Sequence, residues 1–366
     1  MITEPRTPPL WALIFICSFA AFCALLPADA IPAIAAFFRV SADQAESIIT
    51  GYLFGYGLGP LLYAPLSNRF GRKKALLLGL GVALIGMALS LLALSSHGLG
   101  LMVAGRFIAG IGASAGLTLG MVILKDTASE QQARKIYSYI VVAFAFAPAM
   151  ALAVGGMLTE YVGIVSIFIL MPVLVLLLAA VTWSIDESYR GQPIPLRVGS
   201  ISSSYLLVLK QPLVMLLVLI LSMASAATYV FNGLSPIIAI GQLHLSSSLY
   251  GNLAIIPSFG FLLGGFISST LSSRYDVRTA TRLGIVLLVC GSVMMVLAFL
   301  ADWISLVSML LPAMVMFTGV AIVIPNTSMS ALSVAKDSAA AASVLVALVA
   351  LASTTGNATG LRLPIF

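Results

Sequence analysis

Residues 51–74 read GYLFGYGLGPLLYAPLSNRFGRKK and determine which fold class the chain can adopt. The segment begins as an apolar stretch with glycines at positions 51, 55, 57 and 59, and glycines in a membrane helix allow a neighbouring helix to approach closely. Positively charged loops are retained on the cytoplasmic side of a membrane. The segment ends in such a loop, residues 68–74, which we call the basic turn. It carries four cations around Gly71, namely Arg69, Arg72, Lys73 and Lys74.

Long apolar segments dominate the rest of the chain. Of its 366 residues, 61% are hydrophobic and 8% are charged, whereas soluble proteins carry about 25% charged residues. The apolar runs repeatedly reach the length of about 20 residues that a helix needs to cross a bilayer. We therefore predict an all-α polytopic membrane protein. Eleven spans are predicted, at about residues 10–36, 47–66, 74–95, 100–123, 136–159, 163–184, 212–240, 249–271, 281–300, 304–330 and 338–360.

The positions of lysine and arginine predict the orientation of these spans. With a cytoplasmic N-terminus, fifteen of these residues fall in cytoplasmic loops, Arg39 and Arg362 fall outside, and Arg106 lies within a span. Such an excess of positive charge is typical of cytoplasmic loops. Topology therefore explains the net charge of +6, and no nucleic-acid partner is predicted.

The longest hydrophilic segment divides the predicted spans into two groups. Residues 186–211 contain two prolines and a serine cluster and are predicted to form a cytoplasmic linker, with a short surface helix at 202–210. Residues 1–185 then form an N-terminal six-helix bundle, and residues 212–366 form a C-terminal bundle with five spans. A looser basic segment, residues 272–282, follows span eight as the basic turn follows span two. The second half thus weakly repeats the first.

Three motifs, in order along residues 45–160, carry a family resemblance. Residues 62–73, LYAPLSNRFGRK, resemble the signature loop Gly-x-x-x-Asp-Arg-x-Gly-Arg-Arg/Lys of the major facilitator superfamily, with Ala64 and Asn68 in place of the glycine and the aspartate. The second motif is RFIAG at residues 106–110, with Lys-Asp at 125–126. The third is Ala-Pro at 147–148 with Gly-Gly at 155–156. Within the superfamily, the segment is similar to the Bcr/CflA branch of drug:proton antiporters.

The resemblance implies a major facilitator fold, in which two six-helix bundles are related by an axis along the membrane normal. That fold has twelve spans, and the chain ends soon after the eleventh. We expect either a truncated or frameshifted form or the loss of the last span.

The resemblance also implies a conformational latch at the basic turn. In the family, the aspartate of the loop caps a helix and joins a charge network with the loop arginine and an acid near the end of span four. Because an amide makes weaker charge-assisted hydrogen bonds than a carboxylate, we expect a weakened latch of the outward-open state here. The alternative is that the cations only set the topology. The corresponding residues are Asn68, Arg69, Gly71, Arg72 and Asp126.

Asp29 lies well inside an apolar span, as no other of the twelve acids does. A charge at the bilayer centre costs about 2.5–3.5 kcal/mol on insertion scales, and desolvation favours the neutral form of a carboxyl group. We predict that Asp29 carries a proton and pairs with Arg106 at matching depth. The resemblance implies a proton-coupling role for Arg106 and places the usual first-helix aspartate one turn away, near Leu25. The alternatives are a hydrated Asp29 near the outer interface and a static ion pair.

Two further sets of residues are predicted to take part in transport. Pro148, Gly155 and Gly156 match the antiporter motif of span five, where a proline and small residues allow a helix to bend at an interface. Aromatic and amide side chains at the midplane are candidates for a substrate cavity, and lipid- or core-facing packing is the alternative for each of them. These candidates are Tyr52, Tyr56, Tyr229, Phe231, Asn232 and Asn326.

The sequence therefore predicts a proton-coupled secondary transporter that exports drugs or other small amphipathic compounds by alternating access. It would act as a monomer in the bacterial inner membrane and use the proton gradient without a cofactor. Nucleotide-binding loops, HExxH and clustered His/Cys ligands do not occur, so neither an enzyme nor a metal site is predicted. The alternatives are a metabolite, siderophore or amino-acid permease of the same superfamily, and an inactive or binding-only relic.

Overall fold

The computed structural model describes residues 7–28, 30–236, 238–239, 243, 253 and 255–360. Within these ranges the chain forms fifteen α-helices and no strand. In chain order they are α1 (Leu10–Leu25), α2 (Ile31–Phe38), α3 (Ala42–Leu58), α4 (Pro60–Phe70), α5 (Arg72–Ser96), α6 (Leu99–Ala113), α7 (Ala115–Thr127), α8 (Glu130–Tyr161), α9 (Ile164–Ser184), α10 (Val198–Leu209), α11 (Pro212–Pro236), α12 (Ser258–Arg274), α13 (Val277–Leu300), α14 (Leu306–Val334) and α15 (Ser338–Gly360).

Five helical stretches in the described ranges are long and apolar enough to cross a membrane, judged by length and composition. A sixth is added if α10 and α11, which meet at 78°, count as one bent span. Three shorter apolar stretches also occur, Leu10–Leu25, Ser258–Ser272 and Ser338–Ala350. The eleven-span count stays a prediction. The five long stretches are Arg72–Ser96, Leu99–Thr127, Ile164–Ser184, Val277–Leu300 and Leu306–Val334.

The helices cluster into two compact units that do not follow the order of the chain. Unit 1 comprises the described residues of Met1–Ala128, Phe146–Val208 and Lys336–Ala347, and unit 2 those of Ser129–Ala145, Leu209–Ala335 and Leu348–Phe366. The first part of α8 therefore belongs to unit 2, and the first part of α15 belongs to unit 1. The predicted bundle boundaries at 185 and 212 describe the order of the spans along the chain and remain a prediction.

The first predicted span, 10–36, is broken in the structure. Helix α1 ends at Leu25, and α2 begins at Ile31 with a proline in its first turn. Pro27 lies in the break and has no backbone N–H, so it cannot continue the hydrogen-bond ladder of α1. The amides of Ala28 and Ala30 instead donate to the carbonyls of Leu25 and Pro27, at 2.9 and 3.1 Å. The span is thus two helices joined by a turn.

Glycines bring α3 and α6 of unit 1 close together. A methyl group on Gly55 would overlap the carbonyl of Phe107 in α6, and one on Gly110 would overlap the carbonyl of Tyr52 in α3. Only residues without a Cβ permit this approach. The close contact predicted from the glycines of residues 51–59 is confirmed at Gly55, and it places the side chain of Tyr52 beside that of Arg106.

Helix α14 is the centre of unit 2, where it packs against α11, α12 and α13. Its side chains are mostly buried, including Pro325 and Asn326. The ring of Phe317 lies 5.5 Å from that of Phe231 in α11 and 4.9 Å from that of Phe261 in α12, measured between centroids. These rings belong to an apolar core cluster of unit 2, together with aliphatic and methionine side chains of α14.

Candidate functional site

Arg72 is the hub of the basic turn. Its side chain is almost fully buried, and its Nε donates to Oδ2 of Asp126 at 3.1 Å. One terminal nitrogen donates to Oδ1 of Asn68 at 2.8 Å and to Oγ of Ser67 at 3.2 Å. The guanidinium carbon lies 4.4 Å from the centroid of the Tyr189 ring. A guanidinium can serve several acceptors in this way because its donors are fixed in a planar fork.

Gly71 makes room for a carboxylate at the start of α5. It has φ +93°, a region that residues with a Cβ adopt only under strain. A Cβ there would also collide with the carboxylate of Glu187. That carboxylate accepts hydrogen bonds from the backbone amides of Arg72 and Lys73, at 2.8 and 3.2 Å. Glu187 thus caps α5, since helix N-termini expose amides and favour negative charge.

Asn68 connects Arg72 to the start of α15. Its side chain is 6% exposed; Oδ1 accepts from Arg72, and Nδ2 donates to Oδ2 of Asp337 at 2.8 Å. Arginine can only donate and an ionised aspartate can only accept, so the two partners fix the orientation of the amide. The other oxygen of Asp337 accepts from the amides of Ala339 and Ala340, at 3.1 and 3.0 Å. Asp337 is therefore the N-cap of α15.

The structure brings together four of the five residues predicted for the latch. Asn68, Gly71, Arg72 and Asp126 lie in one cluster of unit 1. Arg69 is exposed at the end of α4, and the cluster's hydrogen bonds among the described residues do not include it. Glu187 and Asp337 also bind this cluster, and they were not predicted from the sequence. Asp337 is followed by Ser338 and a run of alanines, which is typical of a helix start, but neither acid shows a sequence signal that points to the basic turn.

Arg106 is the most deeply buried cation in the described part of the chain, with 1% of its surface exposed. One terminal nitrogen donates to the carbonyls of Cys23 and Ala24 at 3.0 and 3.2 Å. Nε donates to the carbonyl of Ile48 at 3.3 Å, and the other terminal nitrogen lies 3.3 Å from the sulfur of Met171. Within the described residues, the partners of this guanidinium are therefore neutral groups.

Pro27 explains why the Cys23 carbonyl is available to Arg106. In an uninterrupted helix, the carbonyl of residue 23 accepts from the amide of residue 27, and proline has no such amide. Arg106 supplies the missing hydrogen bond at the C-terminus of α1, where the helix dipole also favours a cation. A buried cation thus holds the end of the broken span.

The ring of Tyr52 packs against the guanidinium of Arg106. Its ring centroid lies 4.3 Å from the guanidinium carbon of Arg106, within the range of a cation–π contact. Its hydroxyl donates to the carbonyl of Ala20 at 3.0 Å, and the side chain is fully buried. Tyr52 was predicted to line a cavity; in this structure it packs under Arg106, while Tyr56, one turn further along α3, is half-buried.

Asp29 falls outside the described residues, so its predicted ion pair with Arg106 stays a prediction. Its neighbours along the chain, Ala28 and Ala30, belong to the turn between α1 and α2. The carbonyls to which Arg106 donates, those of Cys23 and Ala24, come a few residues before this turn in the chain.

Residues 148–156 lie in α8, which is a continuous helix from Glu130 to Tyr161. A Cβ at Gly155 would overlap the carbonyl of Leu26, so this glycine lets α8 approach the break between α1 and α2. Gly156 beside it is half-buried. Helix α8 passes from unit 2 to unit 1 between Ala145 and Phe146, a few residues before Pro148, whose side chain is outside the described part.

Two of the six cavity candidates, Tyr52 and Tyr56, belong to unit 1. The other four belong to unit 2, namely Tyr229, Phe231, Asn232 and Asn326. Phe231 is buried against Phe317. Asn326 is fully buried and donates through Nδ2 to Oγ of Ser268 at 3.0 Å and to the carbonyl of Ile322 at 2.7 Å. The side chains of Tyr229 and Asn232 fall outside the described part of the structure.

Comparison with known proteins places this geometry in a family. The model of the Major Facilitator Superfamily matches residues 10–360. A transporter of Rickettsia felis is 25% identical over 335 residues, which cover 87% of this chain and 80% of the relative. The bicyclomycin resistance protein homolog of Haemophilus influenzae is 26% identical, covering 72% and 66%. Multidrug resistance protein D of Escherichia coli is 24% identical, covering 82% and 76%.

Solved structures agree on the fold. The outward conformation of FucP superimposes with a TM-score of 0.73 at 16% identity, covering 96% of this chain and 90% of FucP. The proton:xylose symporter XylE gives a TM-score of 0.71 at 16% identity, covering 96% and 88%. The predicted all-α membrane fold, the family resemblance and the expectation of a transporter rather than an enzyme are confirmed. The chain belongs to the Major Facilitator Superfamily of membrane transporters, and its drug-resistance relatives include those of the Bcr/CflA type.

Proposed function

We propose that the protein is a proton-coupled exporter of drugs or other small amphipathic compounds that works by alternating access. The names of its relatives support the substrate class, since they include resistance proteins for bicyclomycin and chloramphenicol and a multidrug resistance protein. The proposed setting is the bacterial inner membrane, with a monomeric chain, a cytoplasmic N-terminus and the proton gradient as the driving force.

The observation that carries the proposal is the environment of Arg106. Its guanidinium is buried and is held by carbonyls at the break in the first span, a few residues before Asp29 in the sequence. A buried cation gains strongly from a nearby carboxylate, because the pair is poorly screened. When deprotonated, Asp29 would compete with the carbonyls of Cys23 and Ala24 for Arg106. When protonated, it would leave Arg106 on those carbonyls.

Proton uptake would thus change which groups hold the end of α1. A ligand shifts a conformational equilibrium only through a difference in its interactions with the two states. Here the proton would bind more tightly to the state in which Arg106 is held by the carbonyls than to the state in which Arg106 pairs with Asp29. Because α8 packs closely against the end of α1 at Gly155, a change at the end of α1 can be transmitted to α8, the helix that contains Pro148. We propose that Pro148, Gly155 and Gly156 allow α8 to bend during transport, and that Tyr52, Tyr56, Tyr229, Phe231, Asn232 and Asn326 contribute to substrate binding in at least one state.

The cluster at the basic turn is proposed to act as the conformational latch. Arg72 and Asn68 link the ends of α4, α7 and α15 within unit 1. The hydrogen bonds of this cluster can therefore form or break together. Asp126 contributes the counter-charge, and Gly71 contributes the space for the Glu187 cap. Arg69, exposed at the end of α4, is assigned to topology and to the helix dipole.

The test uses Asp29→Asn in everted membrane vesicles energised to an acidic interior. Chloramphenicol and bicyclomycin are added, and substrate-driven proton release is followed with a pH-sensitive dye. We expect release from the unaltered protein and none from Asp29→Asn. Asp302→Asn is the matched control, because Asp302 is exposed with φ +52°, a conformation that asparagine tolerates well. Proton release that survives in Asp29→Asn would remove Asp29 from the coupling step.

A further inference from the structure

We infer that Asp337 supplies the acid of the latch in this chain and that Asn68 is the amide that links it to Arg72. This inference rests on the proposed function of the basic turn as a latch. The sequence predicted a latch weakened by the missing aspartate at position 68. We infer instead that the carboxylate of the latch is supplied from the start of α15, by Asp337.

The hydrogen bonds form an unbroken series from α15 to α7. Asp337 accepts from Nδ2 of Asn68 at 2.8 Å, Oδ1 of Asn68 accepts from Arg72 at 2.8 Å, and Nε of Arg72 donates to Asp126 at 3.1 Å. Asn68 and Arg72 are 6% and 4% exposed. Two carboxylates thus flank one guanidinium, one directly and one through an amide.

The residue type at position 68 follows from this series. An amide is both a donor and an acceptor, so Asn68 can receive a hydrogen bond from Arg72 and give one to Asp337. An ionised aspartate at position 68 would still accept from Arg72, but it would meet the carboxylate of Asp337 at hydrogen-bond distance. Two like charges in that position repel each other, or one of them must take up a proton. Asparagine is therefore the residue that an acid at position 337 requires.

Asp337 also keeps a second task that any exchange must preserve. Its Oδ1 caps α15 through the amides of Ala339 and Ala340. Asparagine is as good an N-cap as aspartate. An asparagine at position 337 could keep the cap through its oxygen and donate through its nitrogen to an aspartate at position 68. The arrangement can therefore be inverted without loss, which is what makes the inference testable.

The contact that the series holds is closely packed. Residues 339–342, all alanines, and Ser343 have no exposed surface. Separation of the start of α15 from the basic turn would expose them. Ser343→Cys is nearly isosteric and reports this separation through its reaction with a maleimide.

The experiment measures the alkylation rate of Ser343→Cys in the purified full-length protein, with the native Cys17, Cys23 and Cys290 replaced by alanine. Four chains are compared: the parent, Asn68→Asp, Asp337→Asn and the double exchange Asn68→Asp/Asp337→Asn. We expect Asn68→Asp to react about tenfold faster than the parent, because a hydrogen bond to a charged group is lost and a repulsion is added. Asp337→Asn is expected to react a few-fold faster, since an asparagine that keeps the cap with its oxygen turns its Nδ2 donor toward the Nδ2 donor of Asn68, and that hydrogen bond is lost.

The double exchange is expected to return to within about twofold of the parent, because the hydrogen bond between residues 68 and 337 is remade with its direction reversed, while Arg72 still donates to residue 68 and to Asp126. Asp276→Asn is the matched control. Asp276 caps α13 through Thr279, so it undergoes the same exchange at the N-cap of a helix of unit 2, whereas Asn68 belongs to unit 1, and the alkylation rate of this control should equal that of the parent. A double exchange as reactive as Asn68→Asp, or an equal acceleration in Asp276→Asn, would overturn the inference.

This measurement needs neither substrate nor proton gradient. If the double exchange restores the parent rate in a protein that exports neither chloramphenicol nor bicyclomycin, the proposed substrates are wrong and the inference about Asp337 stands. Export without restoration would leave the proposed function intact and refute the inference.

Discussion

Arg72 is the residue whose loss should weaken the basic turn most. Arg72→Gln removes the ion pair with Asp126, whose side chain is 14% exposed, and the guanidinium bonds to Asn68 and Ser67. Breaking a buried pair by removing one partner costs about 3–5 kcal/mol. Lys125, 3.9 Å from Asp126 and one-third exposed, offsets part of this, but an exposed pair contributes only about 0–1 kcal/mol. We therefore expect a loss of about 3 kcal/mol in the free energy of unfolding.

Arg69→Gln is the matched control, because it removes the same charge three residues earlier from an exposed side chain. Surface substitutions of this kind change stability by about 0.5 kcal/mol or less. The two variants are compared by reversible SDS titration of the purified protein in mixed micelles, followed by far-UV circular dichroism. Equal unfolding midpoints for Arg72→Gln and Arg69→Gln would show that the buried network stabilises the protein no more than one surface charge does, and would refute its assignment as a latch.

Three further substitutions test individual contacts in the same titration. Gly71→Ala should cost more than Gly163→Ala: both glycines have positive φ, but only Gly71 faces a carboxylate, and an alanine at Gly163 meets open space. Strain at positive φ alone costs about 1–3 kcal/mol. Gly55→Ala should prevent the close approach of α3 and α6 and lower the yield of folded protein, whereas Gly81→Ala, with no neighbour in reach, should be stabilising by up to about 1 kcal/mol. Glu187→Gln should cost about 0.3–1 kcal/mol, because the exposed side chain loses its negative charge at the N-terminus of α5.

Each of these has its own contrary result. If Gly71→Ala and Gly163→Ala lowered the free energy of unfolding equally, the collision with the Glu187 carboxylate would not contribute to the cost at Gly71. A Gly55→Ala protein as stable as Gly81→Ala would show that α3 and α6 can separate without penalty. Glu187→Gln with an unchanged midpoint would show that water caps α5 as well as the carboxylate does.

The sequence predicted the fold, because apolar length, loop charge and three ordered motifs depend on residues near one another in the chain. It also predicted the partnership of Arg72 and Asp126 through the family resemblance. Glu187 and Asp337 were not predictable in the same way, because they meet the basic turn from 115 and 269 residues further along the chain. No local pattern encodes such a meeting.

The break in the first span shows a second limit. Hydropathy measures the composition of residues 10–36 and is blind to backbone hydrogen bonds, so the span was predicted as one helix. Pro27 was visible in the sequence, but its effect depends on Arg106, 79 residues away, which takes the carbonyl that the proline leaves free. The predicted partner of Arg106 was an acid, and the partners that the described residues supply are carbonyls.

The 269-residue separation between Asn68 and Asp337 has a consequence for how the protein is made. At a synthesis rate of about 5–20 residues per second, roughly 15–50 s pass between the ribosome's addition of the basic turn and its addition of Asp337. During that interval the amide nitrogen of Asn68 must be satisfied by water or lipid headgroups. Membrane insertion of the first helices therefore proceeds with this network unfinished, and the last of its hydrogen bonds can form only after Asp337 has been added.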